Sequence, residues 1–170
     1  MQFFLWLEST GVSTWMRESP SLLAFPFILF LHTLGLAMLA GISTAFAIWI
    51  LRFADSYPIA PMQQYFPIMW IGLAINTVSG LLLLAAYPAK ALTNPVFYAK
   101  IIAIMIALVV VQKLRKRLFL ESNPHETFIA SKHVSQAAGL LIALWVVATV
   151  TGRFLAYTHN ILMASDAALY

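Results

Sequence analysis

The sequence predicts an all-α integral membrane protein: a four-helix bundle preceded by a short N-terminal interfacial helix. Three observations predict it. Hydrophobic residues make up 62% of the 170, where soluble domains carry about 45–50%. Charged residues are only 9%, against about 25% in a typical soluble chain. The apolar residues also gather into four runs, each near the roughly 20 residues that a helix needs to cross hydrocarbon at about 1.5 Å per residue. A water-soluble fold of this length has too little interior to hide so much apolar surface. The whole chain, 1–170, therefore reads as a single membrane domain.

The elements follow in order. The first twenty residues mix Phe3, Phe4, Trp6, Leu7 and Trp15 with Glu8, Arg17 and Glu18. Tryptophans beside charges suit the headgroup layer, which predicts the interfacial helix. The same charges interrupt the apolar run, so the segment does not read as a cleavable signal peptide. The spans are predicted at 21–51, 66–87, 95–117 and 134–157. Pro67 and Pro95 fall at helix starts, where a missing N–H is harmless, and Pro26 falls in the first or second turn of its span. Residues 52–65 hold Asp55, Pro58 and Pro61 and read as a turn-rich loop. Residues 88–94 are few, which makes the second and third spans antiparallel neighbours. The third connection carries Lys113, Arg115, Lys116, Arg117 and Lys132.

By the positive-inside rule that basic cluster belongs in the cytoplasm, with both termini periplasmic and the protein in a bacterial inner membrane. The net charge of +4 thus reads as a topology signal, and nucleic acid is not expected as a partner. The absence of cysteine excludes disulfides, iron–sulfur clusters and thiolate metal sites. No catalytic triad, P-loop, dinucleotide fingerprint or zinc spacing is present.

Ionisable groups inside spans are costly and call for an explanation. Three occur: His32 a third of the way into the first span, Lys100 in the second turn of the third, and Arg153 in the last turns of the fourth. All three fall in the outer half under the orientation above. Helical spacing puts His32 on one face with Gly35, Leu39 and Ser43, and puts Gly72, Asn76, Ser79 and Gly80 on another. Lys100 aligns with Ala103 and Ala107, and Arg153 with Thr149 and Tyr157. These stripes read either as helix packing or as a shared site. His32 is a structural histidine or a metal or haem ligand through its neutral imidazole. Lys100 and Arg153 either snorkel to the headgroups or face the site; a guanidinium suits an anionic group such as a haem propionate or a lipid phosphate. His125, His133 and His159 lie near or beyond the span ends, too far in depth from His32 to share one iron with it.

The run Leu31-His32-Thr33-Leu34-Gly35-Leu36-Ala37-Met38-Leu39-Ala40-Gly41 resembles the first-helix motif of a broad group of small bacterial membrane proteins. The stretch 97–111, with Tyr98-Ala99-Lys100 before a long aliphatic run, resembles their third-helix motif. The group includes the copper-resistance protein D family and the flavin-independent membrane protoporphyrinogen oxidase. Where the oxidase carries a Pro-Arg pair after its first helix, this chain reads Leu51-Arg52. The ending Gly152-Arg153-Phe154-Leu155-Ala156-Tyr157 looks like an uncharacterised family of four-helix bacterial proteins. The resemblance implies haem b, with His32 as a haem-iron ligand, Lys100 as a possible second ligand and Arg153 beside the cofactor. It implies a redox protein passing electrons between a quinone or porphyrinogen and a partner, an oxidoreductase like the oxidase. Two other functions stay open: a non-catalytic subunit of a larger membrane complex, and a copper-handling transport protein. The seven methionines offer soft ligands for copper, but Met38, Met62, Met69 and Met105 form no cluster in sequence. So small a bundle is expected to work as a homo-oligomer or with a membrane partner.

Overall fold

The structure, a computed structural model, describes residues 11–19, 21 and 23–167. Those residues are helical throughout apart from the connections. Helix α1 (Gly11–Glu18) is followed by α2 (Phe25–Arg52), a 3-10 helix (Ala60–Tyr65), α3 (Phe66–Ala86), a short α4 (Pro88–Leu92), α5 (Pro95–Phe119) and α6 (Lys132–Ala167). Four of these, Phe25–Arg52, Ala60–Ala86, Pro95–Phe119 and Lys132–Leu155, are long and apolar enough to cross a bilayer. The chain is a multi-pass membrane protein whose four long apolar helices pack as a bundle.

The predicted spans and the helices agree closely in position, with three differences, but the second and third spans, expected as neighbours from their short connection, do not pack along each other. Helix α2 begins at Phe25 rather than near residue 21, because Pro26 is accommodated at the helix start, where it displaces no hydrogen bond. The connection 88–94 is itself partly helical, and Asn94 then caps α5 by accepting from the Val96 N–H at 3.0 Å. Helix α6 runs on to Ala167, past the predicted end at 157. Of the predicted interfacial helix, Gly11–Glu18 is a helix with Trp15 exposed and Met16 buried; Phe3, Phe4, Trp6, Leu7 and Glu8 lie outside the described residues. Met16 packs with Ile28 and Ala86, so α1 lies against the 87–94 end of the bundle.

Two antiparallel hairpins build the bundle. Helix α2 packs along α3 and α5 along α6, and α2 then packs on α6 to join the pairs. The first hairpin closes where Gly35 meets Gly72. A Cβ on Gly35 would lie 2.6 Å from the Asn76 nitrogen and 2.8 Å from the Gly72 oxygen. A Cβ on Gly72 would lie 2.6 Å from the Met38 Cβ. Small residues at such a crossing bring backbones close enough for dispersion and interhelical hydrogen bonds, which drive association in lipid. Leu39, Phe46, Ile50, Ala107, Leu141 and Ala148 form the core. Outward faces carry Phe30, Ile71, Ile102, Met105 and Val146, exposed apolar side chains that suit lipid.

The basic end is tied by rings. Phe46, Phe66 and Phe119, from α2, α3 and α5, lie with centroids 5.2, 5.6 and 6.1 Å apart pairwise, and the Arg115 guanidinium sits 5.1 Å over Phe66. Two backbone bonds tie the connections there: Ala60 N–H to Pro124 O and Phe128 N–H to Ala54 O, each 2.9 Å.

Candidate functional site

At the 87–94 end the bundle interior is polar. His32, in the second turn of α2, Asn76 and Ser79 on α3, and Lys100 on α5 converge there. Each is placed by its helix face. Asn76 and Ser79 share the buried stripe of Gly72, and Lys100 stands one turn before buried Ala103 and two before Ala107.

Hydrogen bonds assign the imidazole tautomer. His32 Nδ1 is 3.1 Å from the backbone oxygen of Asn76 and 3.2 Å from Ser79 Oγ. A carbonyl only accepts, and the Ser79 hydroxyl donates to Ile75 O at 2.6 Å. Nδ1 therefore carries the proton and donates it to Asn76 O. The Asn76 amide nitrogen lies 3.4 Å from Nδ1, but it donates to the His32 carbonyl at 2.8 Å. Nε2 is left with its lone pair, 3.4 Å from Lys100 Nζ. Two residues 68 positions apart in sequence thus meet head to head, with the amine as the donor.

Glycines flank both partners. A Cβ on Gly80 would lie 3.1 Å from His32 Cε1, and one on Gly152 would lie 3.6 Å from Lys100 Cε and Nζ. A side chain at 80 would press on the imidazole edge, whereas a Cβ at 152 would meet the lysine terminus at ordinary contact distance. Helices α2 and α5 have no extensive backbone contact with each other. The pair therefore meets across the gap between hairpins, not within a tight crossing.

Compared with known families, curated proteins and solved structures, this chain matches none. The site therefore has to be read from its own atoms.

The residues singled out in the sequence are not all brought together. His32 and Lys100 are. Arg153 has an exposed side chain. The interior face of α6 is Leu141, Trp145, Ala148 and half-buried Gly152, and the predicted Thr149–Arg153 stripe is rotated away from it, with both residues exposed. The correction is one of helical phase: Ala148 and Gly152 are smaller than Thr149 and Arg153 and admit closer packing. His133 stands at the basic end, beside Lys113 and Arg117 around a cavity of about 210 Å³. His125 is exposed in the loop that follows α5. Neither approaches His32, as their depths predicted. Among the described residues no three His, Asp or Glu side chains gather as a metal site. The sequence reading did not single out Asn76 and Ser79 as the groups that orient His32; their shared stripe, at matching depth, was the available signal.

Proposed function

We propose that this chain is a haem b-binding redox protein of the membrane, with His32 as an iron ligand and Lys100 as the facing second ligand. The observation that carries the reading is the held imidazole. Metal-ligating histidines almost always donate their other ring N–H to a carbonyl or carboxylate, which fixes tautomer and orientation. His32 does so through Nδ1 to Asn76 O, and presents Nε2 to a second nitrogen donor.

The donor set fits such a group. The two nitrogens, brought within 3.4 Å of each other from different hairpins, are the donors that would hold the iron. Gly80 lets α3 lie close against the imidazole edge, and Gly152 lets α6 lie beside the lysine terminus. Exposed Arg153, one residue beyond Gly152, offers a guanidinium to an anionic substituent at the same end.

When bound, haem supplies one-electron chemistry. The protein's own residues do the rest. The Asn76 carbonyl holds the ring, Ser79 borders it, and Lys100 must be neutral to ligate. Its amine can hold or return a proton at Nε2 when it does not. The apolar helix walls exclude water. A quinone or porphyrinogen is the expected electron partner, the resemblance in the first and third helices being the reason. The exposed Lys113, Arg115, Lys116 and Arg117 support an orientation with the His32 end periplasmic.

The test is a spectrum of detergent-solubilised protein made with haem in supply. A b-type Soret and α band is expected. His32→Ala should abolish or shift it while the bundle still inserts, and Lys100→Met should change the spin state or midpoint potential. Wild-type protein without any haem overturns the proposal and leaves the complex-subunit reading.

A further inference from the structure

The last turns of α5 carry Lys113, Arg115, Lys116 and Arg117, and these cations divide by what they touch. Arg115 lies over the Phe66 ring, and Lys116 pairs with Glu121 at 3.7 Å. Lys113 and Arg117, four residues apart, share another face of the helix. With His133 at the start of α6 they line the cavity of about 210 Å³ between α5 and α6, and no acidic residue lines it with them. The acidic side chains described at this end are engaged elsewhere. Glu121 meets Lys116, Glu126 accepts from the Asn123 amide at 2.7 Å, and Asp55 accepts from the Ser56 hydroxyl at 3.2 Å. Among the described residues Lys113 and Arg117 thus have no ion-pair partner, and like charges one turn apart destabilise a helix.

The facing wall adds donors. His133 carries at least one ring N–H in either tautomer. The backbone N–H groups of His133 and Val134, in the first turn of α6, meet no acceptor among the described residues. Such a turn favours an anion. The floor of the cavity is apolar. Val110 is three residues from Lys113 and Ala137 four from His133, roughly 5 and 6 Å nearer the middle of the bundle. Both helices therefore change from cationic to apolar at the same level. Beyond Val110 and Ala137 the same faces continue as exposed Ile106 and Leu140.

We propose that this cavity holds the phosphate of an acidic phospholipid, with Lys113, Arg117 and His133 around the phosphate and the acyl chains running down past Val110 and Ala137. Basic pockets between membrane helices suit such headgroups. The two-level lining selects the occupant. A free phosphate gains nothing from an apolar floor that leads onto the lipid-facing surface, whereas a phospholipid is anionic above and apolar below. A zwitterionic headgroup would bring its own ammonium among the cations, so an acidic lipid such as phosphatidylglycerol is preferred over phosphatidylcholine. A cavity of about 210 Å³ takes the headgroup alone and leaves the chains on the outer faces of α5 and α6. The bound lipid would neutralise Lys113 and Arg117 and bridge the two helices of the second hairpin. The site lies at the opposite end from His32 and does not rest on the haem reading.

Native mass spectrometry of the full chain, released from detergent micelles that hold phosphatidylglycerol and phosphatidylcholine in equal amounts, tests this by reading the lipid retained. Phosphatidylglycerol is expected on the protein in clear preference to phosphatidylcholine. Lys113→Gln and Arg117→Gln change exposed positions that no core contact needs, and each should weaken retention about fivefold, the effect of one cation near an anionic lipid. Lys116→Gln removes the same charge from the same helix outside the cavity and should leave retention unchanged. Ala137→Phe fills the apolar floor without altering charge and should also weaken retention, with helix content by circular dichroism as in the parent. Equal retention of the two lipids would overturn the proposal. So would a loss in Lys116→Gln as large as in Lys113→Gln, which would mark diffuse surface charge. Displacement of the lipid by inorganic phosphate at equal concentration would overturn it in favour of a free anion, and full retention by Ala137→Phe would remove the apolar half of the site.

Discussion

At the scale of single residues, the polar cluster divides its labour between main chain and side chain. The His32 ring is held by the Asn76 carbonyl, which no substitution at 76 removes. The Asn76 side chain instead bonds the His32 carbonyl at 2.8 Å and so links α2 to α3. Asn76→Ala is therefore expected to lower bundle stability by about 1 kcal/mol, since interhelical bonds in lipid average about 0.6 and reach about 1.7 kcal/mol. Any haem band should remain in place. Unfolding titrations in mixed micelles, read beside the absorbance spectrum, check both halves; an unchanged titration midpoint would refute the assignment. His32 and Lys100 were legible in the sequence because an ionisable group at membrane depth stands out against an apolar background. The unpartnered, buried Trp145 indole N–H was not, because a missing partner is visible only once every neighbour is placed. That the Thr149–Arg153 face turns outward was not legible for a third reason. Helical spacing fixes which residues share a face but leaves open which face turns inward.

At the scale of elements, the Gly35–Gly72 crossing sets the first hairpin and, through it, the register of the site. The overlap at either position involves backbone atoms or a Cβ of the facing helix, which no rotamer change relieves. Gly35→Leu and Gly72→Leu should push α2 off α3, with the roughly 1–3 kcal/mol typical of overpacking as the lower range. Either should also separate Asn76 from His32. Gly139, where an added Cβ meets nothing within 4 Å, is the control, and Gly139→Ala should leave stability unchanged or slightly improved in keeping with helix propensity. Thermal denaturation of the three variants in detergent is the measurement; equal losses at all three would show that glycine matters here through the helix backbone and not through the crossing. The sequence carried this element clearly, since Gly72, Asn76, Ser79 and Gly80 form one stripe. It did not carry the pairing of α2 with α6, because a run such as 140–150 is apolar on every side and its phase is decided only by the neighbour it meets.

At the scale of the whole molecule the two ends differ in kind. One end holds His32, Asn76, Ser79 and Lys100 between the hairpins; the other joins α2, α3 and α5 through Phe46, Phe66 and Phe119 and carries Lys113, Arg115, Lys116 and Arg117 exposed. Of the ten Lys and Arg residues, Arg52, these four and Lys132 belong to the basic end. Arg17, Lys90, Lys100 and Arg153 belong to the other. Orientation follows Lys and Arg close to the span ends, and acidic residues contribute little, so Asp55, Glu121 and Glu126 do not cancel the bias. Lys100 also rests against Gly152 inside the bundle and should weigh less in translocation than a loop lysine. The basic end is therefore expected in the cytoplasm, and both the N- and C-termini on the opposite side. A C-terminal alkaline phosphatase fusion should be active, and a C-terminal green fluorescent protein fusion dark. Replacing Lys113, Arg115, Lys116 and Arg117 together by Gln leaves two basic residues at that end against four at the other, and should give mixed or inverted insertion. Since Arg115 also lies over Phe66, the variant Arg115→Gln alone separates the two effects: it should loosen the ring cluster slightly while orientation holds. A fluorescent C-terminal fusion in the parent protein would reverse the assignment and place the His32–Lys100 end in the cytoplasm.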